Sequence, residues 1–175
     1  MSESTFPTGV TIAIIGGAVS LFALAVNAII SGRRERIIRQ RKEFAKALAV
    51  CVAYEEYPYI VMRRRAEAPQ DERVRISSEL SIIQRELAYY SAWLAVESTN
   101  VSRAYENLVA KLREIAGAKI HKAWCTPPID SDGNMNMPDL GLNKLEPFKK
   151  LYLKEVSYHL SVIPRFLHQR SETPD

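Results

Sequence analysis

Apolar and polar residues fall into blocks whose period changes along the chain. Residues 10–30 form a run of 21 without a charged side chain, whose clearly polar members are Thr11, Ser20 and Asn27. A helix of that length rises roughly 30 Å, the hydrocarbon thickness of a bilayer. The run predicts a single transmembrane helix over residues 10–31. Beyond a basic section, Ala47, Val50, Cys51, Tyr54 and Tyr57 extend one long helix through residues 33–65, which Pro58 interrupts near Tyr57.

A further helix begins at Asp71 with apolar residues at Ile76, Leu80, Ile83, Leu87, Tyr90 and Leu94, close to the 3.6-residue period. It runs on through Tyr105, Leu108 and Leu112 to a stop near Gly117, with a break around Thr99 and Asn100. Residues 125–143, rich in Pro, Asp, Asn and Gly, predict a loop. A last helix fits residues 146–167, with Pro147 in its first turn. No run of alternating β-branched residues predicts a strand. The expected fold class is all-α: a single N-terminal transmembrane helix continuing into a cytoplasmic antiparallel helical bundle. The expected divisions are an extracytoplasmic tail (1–9), the membrane helix (10–31), a basic stalk helix (32–65), the bundle (66–170) and a frayed tail (171–175).

Charge orients this arrangement. Residues 1–9 hold no Lys or Arg, whereas Arg33, Arg34, Arg36, Arg39, Arg41 and Lys42 follow the apolar run. A cleaved signal peptide would carry its positive charge first, so the small residues around Leu24 are not read as a cleavage site. The positive-inside rule puts the N-terminus outside and residues 33–175 in the cytoplasm, with the basic block near anionic lipids. Two cysteines, Cys51 and Cys125, cannot build a disulfide framework.

Within the apolar run, Ala13, Ser20 and Asn27 recur at a spacing of seven, with Gly16 and Gly17 on adjoining turns. Small residues allow helices to approach closely in lipid, and the Asn27 amide there needs a partner. The stripe predicts a homo-oligomer, with a tetramer favoured. It serves as buried contact in a tight dimer, or it lines an aqueous path in a ring of four or more.

Among candidates for chemistry, Asp130 to Asn134 start like a calcium loop, but Gly133 stands fourth and Gly141 twelfth where an EF-hand needs Gly sixth and Glu twelfth. His121 and Cys125 are four apart, and two ligands make no metal site. With no nucleophile elbow, phosphate-binding glycine loop or dinucleotide fingerprint, neither an enzyme nor a cofactor is expected.

Basic residues are more informative. Residues 33–65 hold ten basic and four acidic side chains. Arg63, Arg64 and Arg65, with Arg73 and Arg75 across a short turn, form a knot some thirty residues, about 45 Å of continuous helix, beyond the apolar run. That distance exceeds a Debye length, so topology does not require them. Either Glu67, Asp71 and Glu72 neutralise the knot, or an anionic ligand does, held by planar guanidinium forks. Lys149 and Lys150, with Lys144 and Lys154, form a second basic face. Tyr89, Tyr90, Tyr152 and Tyr158 are available to stack bases of a single-stranded oligonucleotide, or else form core.

The order of elements, a short N-terminal membrane helix and then a basic all-helical cytoplasmic domain, resembles the small membrane effectors of bacterial anti-phage defence, and among them the pore-forming effectors of the Hailong type. The resemblance implies a homo-oligomeric channel of the bacterial inner membrane, held closed by a DNA oligomer that a partner nucleotidyltransferase makes. It would give Gly17, Ser20 and Asn27 the pore role and the arginine knot the ligand role. The expected function is therefore an ion-conducting pore gated by an oligonucleotide-like anion. The alternative is a membrane-anchored scaffold whose bundle docks a protein partner.

Overall fold

The computed structural model describes residues 8–129, 131 and 141–161, and of residues 8–23, 25 and 26 it describes the backbone alone. All regular structure in the described residues is helical: α1 (Thr8–Glu55), α2 (Tyr57–Met62), α3 (Pro69–Glu97), α4 (Thr99–Cys125) and α5 (Glu146–Leu160), with one 3-10 turn over Leu142–Leu145. The expected all-α class and helical bundle are found. Among the described residues no helix is long and apolar enough to cross a membrane. The uncharged run lies within α1, and most of its side chains fall outside the described residues.

The chain divides into two compact units, Met1–Lys42 and Glu43–Asp175. In the first, the basic block Arg33, Arg34, Arg36, Arg39, Arg41 and Lys42 is exposed. The second is the bundle. It begins at Glu43 rather than after Arg65, so residues expected to form the far half of a stalk are core instead. Phe44, Ala47, Cys51 and Tyr54 are spaced three and four apart and all buried, which is one apolar stripe of an amphipathic helix.

α4 is the centre of this unit. Its Val101, Tyr105, Leu108, Leu112, Ala116 and Ile120 are buried, and α2, α3 and α5 each pack on it. The Tyr105 hydroxyl donates to the Ala47 carbonyl at 3.4 Å and the Tyr152 hydroxyl to the Phe44 carbonyl at 2.9 Å. Buried phenols thus find acceptors along the last turns of α1, as interior polar groups must. Phe44 meets Trp93 edge-on, with ring centres 5.2 Å apart. Cys51 lies in the same core, where burial pushes its thiol up to about 12.

Local chemistry explains the helix ends. Pro58 has no N–H to give, and its ring clashes with the carbonyl four residues back; α1 ends at Glu55 and α2 restarts with that proline in its first turn. Ser98 is extended (φ −162°, ψ 119°) and separates α3 from α4 one residue before the expected break. α4 does not stop at Gly117. A Cβ there would stand 3.8 Å from the Tyr54 hydroxyl, an ordinary contact, and buried Ile120 and Ala123 carry the apolar stripe onward. The stop is Thr126, extended before Pro127. Gly141 adopts φ 71° ahead of the 3-10 turn, a left-handed conformation that suits glycine. α5 ends at Leu160, short of the expected helix over 146–167, because Ser161 is extended (φ −67°, ψ 139°); residues 162–167, 1–7 and 171–175 lie outside the described residues, while Thr8 and Gly9, expected in the N-terminal tail, belong to α1.

Candidate anion-binding cleft

The short connection between α2 and α3 brings the end of one helix against the start of the next, and the acid of that start decides where the arginines go. Pro69, Asp71 and Glu72 occupy the first turn of α3, where negative charge meets unsatisfied backbone N–H groups. Glu72 is buried, with 3% of its side chain exposed. Its Oε1 accepts from Arg65 Nε (3.1 Å), Arg65 Nη2 (3.0 Å) and Arg75 Nε (3.1 Å), and its Oε2 from Arg75 Nη2 (3.0 Å). Arg75 also reaches Glu79 at 3.0 Å. These contacts hold the Glu72 carboxyl down at about 2, Arg75 contributing most.

A pH dependence follows from that depression. A carboxylate whose folded value lies below its ordinary 4.5 stabilises the fold above 4.5, and the contribution fades as pH falls toward 2. Glu72→Gln is expected to lower the thermal midpoint at pH 7 and to converge on the wild type as pH approaches 2. Parallel midpoint curves for the two proteins across pH 2 to 7 would contradict the assignment.

Arg64 is placed differently. Its guanidinium donates to the Val61 carbonyl at 2.8 Å, the Ala123 carbonyl at 3.1 Å and the Thr126 carbonyl at 2.6 Å, acceptors at the C-terminal ends of α2 and α4. It lies 5.4 Å from the Trp124 ring centre, in cation–π range. Arg64 therefore fastens the end of α2 to the end of α4, aided by Ile129 N–H donating to the Met62 carbonyl at 2.9 Å.

Arg64, Arg65 and Arg73 line one cleft of about 470 Å³, together with Trp124, Pro69 and Pro128. Arg73 is exposed and, among the described residues, gives its guanidinium to no carboxylate or carbonyl. The cleft offers the Arg73 guanidinium and the outer edge of Arg65, whose Nε and Nη2 already hold Glu72, beside the Trp124 ring, an arrangement suited to a phosphate attached to a planar ring.

Of the seven ligand residues expected from sequence, the cleft unites three. Arg75 belongs to the Glu72 cluster behind it. Arg63 sits 5.9 Å from the Tyr59 ring centre and does not line the cleft. Lys149 bonds Glu55 at 2.9 Å and Glu146 at 3.2 Å, so it serves the α1–α5 contact. Lys150 is exposed on α5, and neither lysine lines the cleft. Tyr90 and Tyr152 are core and Tyr89 is exposed on α3; the aromatic wall is Trp124, which sequence reasoning missed because nothing local couples it to residues sixty positions earlier.

His121 and Cys125 are both exposed, and no group of three or more His, Cys, Asp or Glu among the described residues could hold a metal. All of Asp130 to Asn134 except Ser131 lies outside the described residues. So do the side chains of Ala13, Gly16, Gly17 and Ser20, while Asn27 is exposed on α1. Comparison with protein-family models, with curated proteins and with solved structures returned no match to this chain.

Proposed function

We propose that the protein is a homo-oligomeric, single-pass membrane effector whose cytoplasmic bundle binds an oligonucleotide-like anion and thereby controls an ion-conducting pore. What carries the reading is one chain joining a 21-residue uncharged run to an arginine-lined cleft. The run is long enough to span a bilayer, and the basic block that follows it orients the N-terminus outward. Phosphates would meet Arg65 and Arg73, and a base would lie against Trp124. The spacing of Ala13, Ser20 and Asn27 supports association within the membrane. The architectural resemblance to Hailong-type effectors supplies the setting, anti-phage defence beside a nucleotidyltransferase. No residue is assigned a catalytic role.

Two measurements test this. Purified full-length protein in a planar bilayer is expected to pass current, and silence with and without oligonucleotide would overturn the pore. Anisotropy of labelled single-stranded DNA on the detergent-solubilised protein should fall with salt. Arg73→Ala should weaken binding severalfold and reduce the salt slope by about 1. Unchanged affinity would overturn the ligand assignment. Arg73 suits the test because, unlike Arg64, it holds no helix end.

A further inference from the structure

The cleft at the start of α3 carries more positive charge than the carboxylates in contact with it answer. Arg64, Arg65 and Arg73 line it, and Arg75 stands behind them on Glu72. Against these guanidiniums stand Glu72, shared by Arg65 and Arg75, and Glu79, held by Arg75. Arg64 and Arg73 are left without a carboxylate. The carbonyls that accept from Arg64 satisfy its N–H groups without removing its charge. Glu67 and Asp71 are exposed, pair with no cation among the described residues and do not line the cleft, so water screens them.

The donors are also gathered at one point. Arg65 holds Glu72 through Nε and Nη2, which leaves the edge between Nη1 and Nη2 on a side chain that is 67% exposed. Arg73 offers its whole fork. The remaining wall, Ala66, Pro69, Trp124 and Pro128, has no charge. Arg63 and, on α4, Lys119, His121 and Lys122 do not line it either. A groove that follows a nucleic-acid strand needs basic residues along its length, whereas this cleft supplies them for a single phosphate.

We infer that the cleft takes a terminal phosphomonoester, the phosphorylated end of an oligonucleotide, and not an internal phosphodiester. A phosphomonoester carries about −1.5 to −2 charge at pH 7 on three acceptor oxygens. An internal linkage carries a single charge on its two non-bridging oxygens. Only the former answers the charges of both Arg64 and Arg73. Arg73 can hold it bidentately and Arg65 through its outer edge, while the base of the end nucleotide reaches Trp124. A strand laid across the cleft would instead set its next phosphates against uncharged walls.

The inference rests on the anion-binding part of the proposed function and narrows it from a strand to an end. The test is calorimetry of the full chain in detergent with one short deoxyoligonucleotide in three forms, bearing a 5′-phosphate, a 3′-phosphate or hydroxyls at both ends, and with deoxyadenosine 5′-monophosphate. At pH 7.5 at least one phosphorylated form is expected to bind roughly tenfold tighter than the hydroxyl form, and Arg73→Ala to remove that preference. At pH 5 the preference should shrink, because the second ionisation of the phosphate lies at about 6, while Glu72, held at about 2, stays ionised and keeps Arg65 in place. A preference undiminished at pH 5 would overturn the charge match. Equal affinity of the three forms, or a preference that survives Arg73→Ala, would overturn the end assignment while the oligonucleotide reading stands. Binding of the monophosphate without any oligonucleotide would overturn that reading and keep the phosphomonoester site. Binding of no probe would overturn both.

Discussion

Tyr105→Ala is expected to lower the unfolding free energy of the bundle by about 3–5 kcal/mol, the range for truncating a buried aromatic to Ala. Tyr105 is 0% exposed on the central helix, its ring centre lies 5.6 Å from that of Tyr152, and its hydroxyl reaches the Ala47 carbonyl. Truncation leaves a void shared by α1, α4 and α5. Tyr105→Phe keeps the ring and loses one long hydrogen bond, so its cost should stay near 1 kcal/mol. Urea melts of both variants, followed by circular dichroism, check the pair. Equal costs would mean that the hydroxyl, and not the ring, holds the helices.

The second large effect concerns Lys149. It pairs with Glu55 across α1 and α5, with 17% and 10% of the two side chains exposed. Glu55 Oε1 is buried without a hydrogen-bond partner among the described residues. Burial pushes the Glu55 carboxyl up despite the lysine, whereas the carboxylates of Glu55 and Glu146 keep Lys149 raised against its own burial. Lys149→Met strands a buried carboxylate, an outcome that costs about 3 kcal/mol or more. Replacing Glu55 by Met as well removes the stranded charge, and apolar replacements of whole buried pairs are often neutral. The double variant is thus expected to melt close to the wild type and well above Lys149→Met. The same urea melts decide it: a double variant no more stable than the single one would show that the pair contributes more than mutual neutralisation.

Much of the fold was legible in the chain because its determinants are local. Pro58 interrupts a helix through its own backbone chemistry, the break expected around Thr99 and Asn100 falls one residue away at Ser98, and the three-and-four spacing of Leu87, Tyr90 and Leu94 needs no partner to be read. Gly117 misled for the same local reason: a glycine late in a helix resembles a stop, yet Ile120 and Ala123 beyond it gain more by burial on the bundle than the glycine costs. The candidate site was legible in part. Arg64, Arg65 and Arg73 stand out as a cluster, but only packing separates their tasks. Arg64 is taken up by the carbonyls of two helix ends, Arg65 is shared with buried Glu72, and Arg73 is left at the cleft.

By itself the sequence determined an all-helical chain, a 21-residue uncharged run followed by a basic block, and a concentration of arginine after α2. Periodicity, proline and charge order act over a few residues and survive in any tertiary context. Only the tertiary structure decided that Phe44 joins the core, that Trp124 faces the arginines and that Lys149 answers Glu55. Each of these joins residues distant in sequence, and side-chain burial and ion pairing are set by which helices meet.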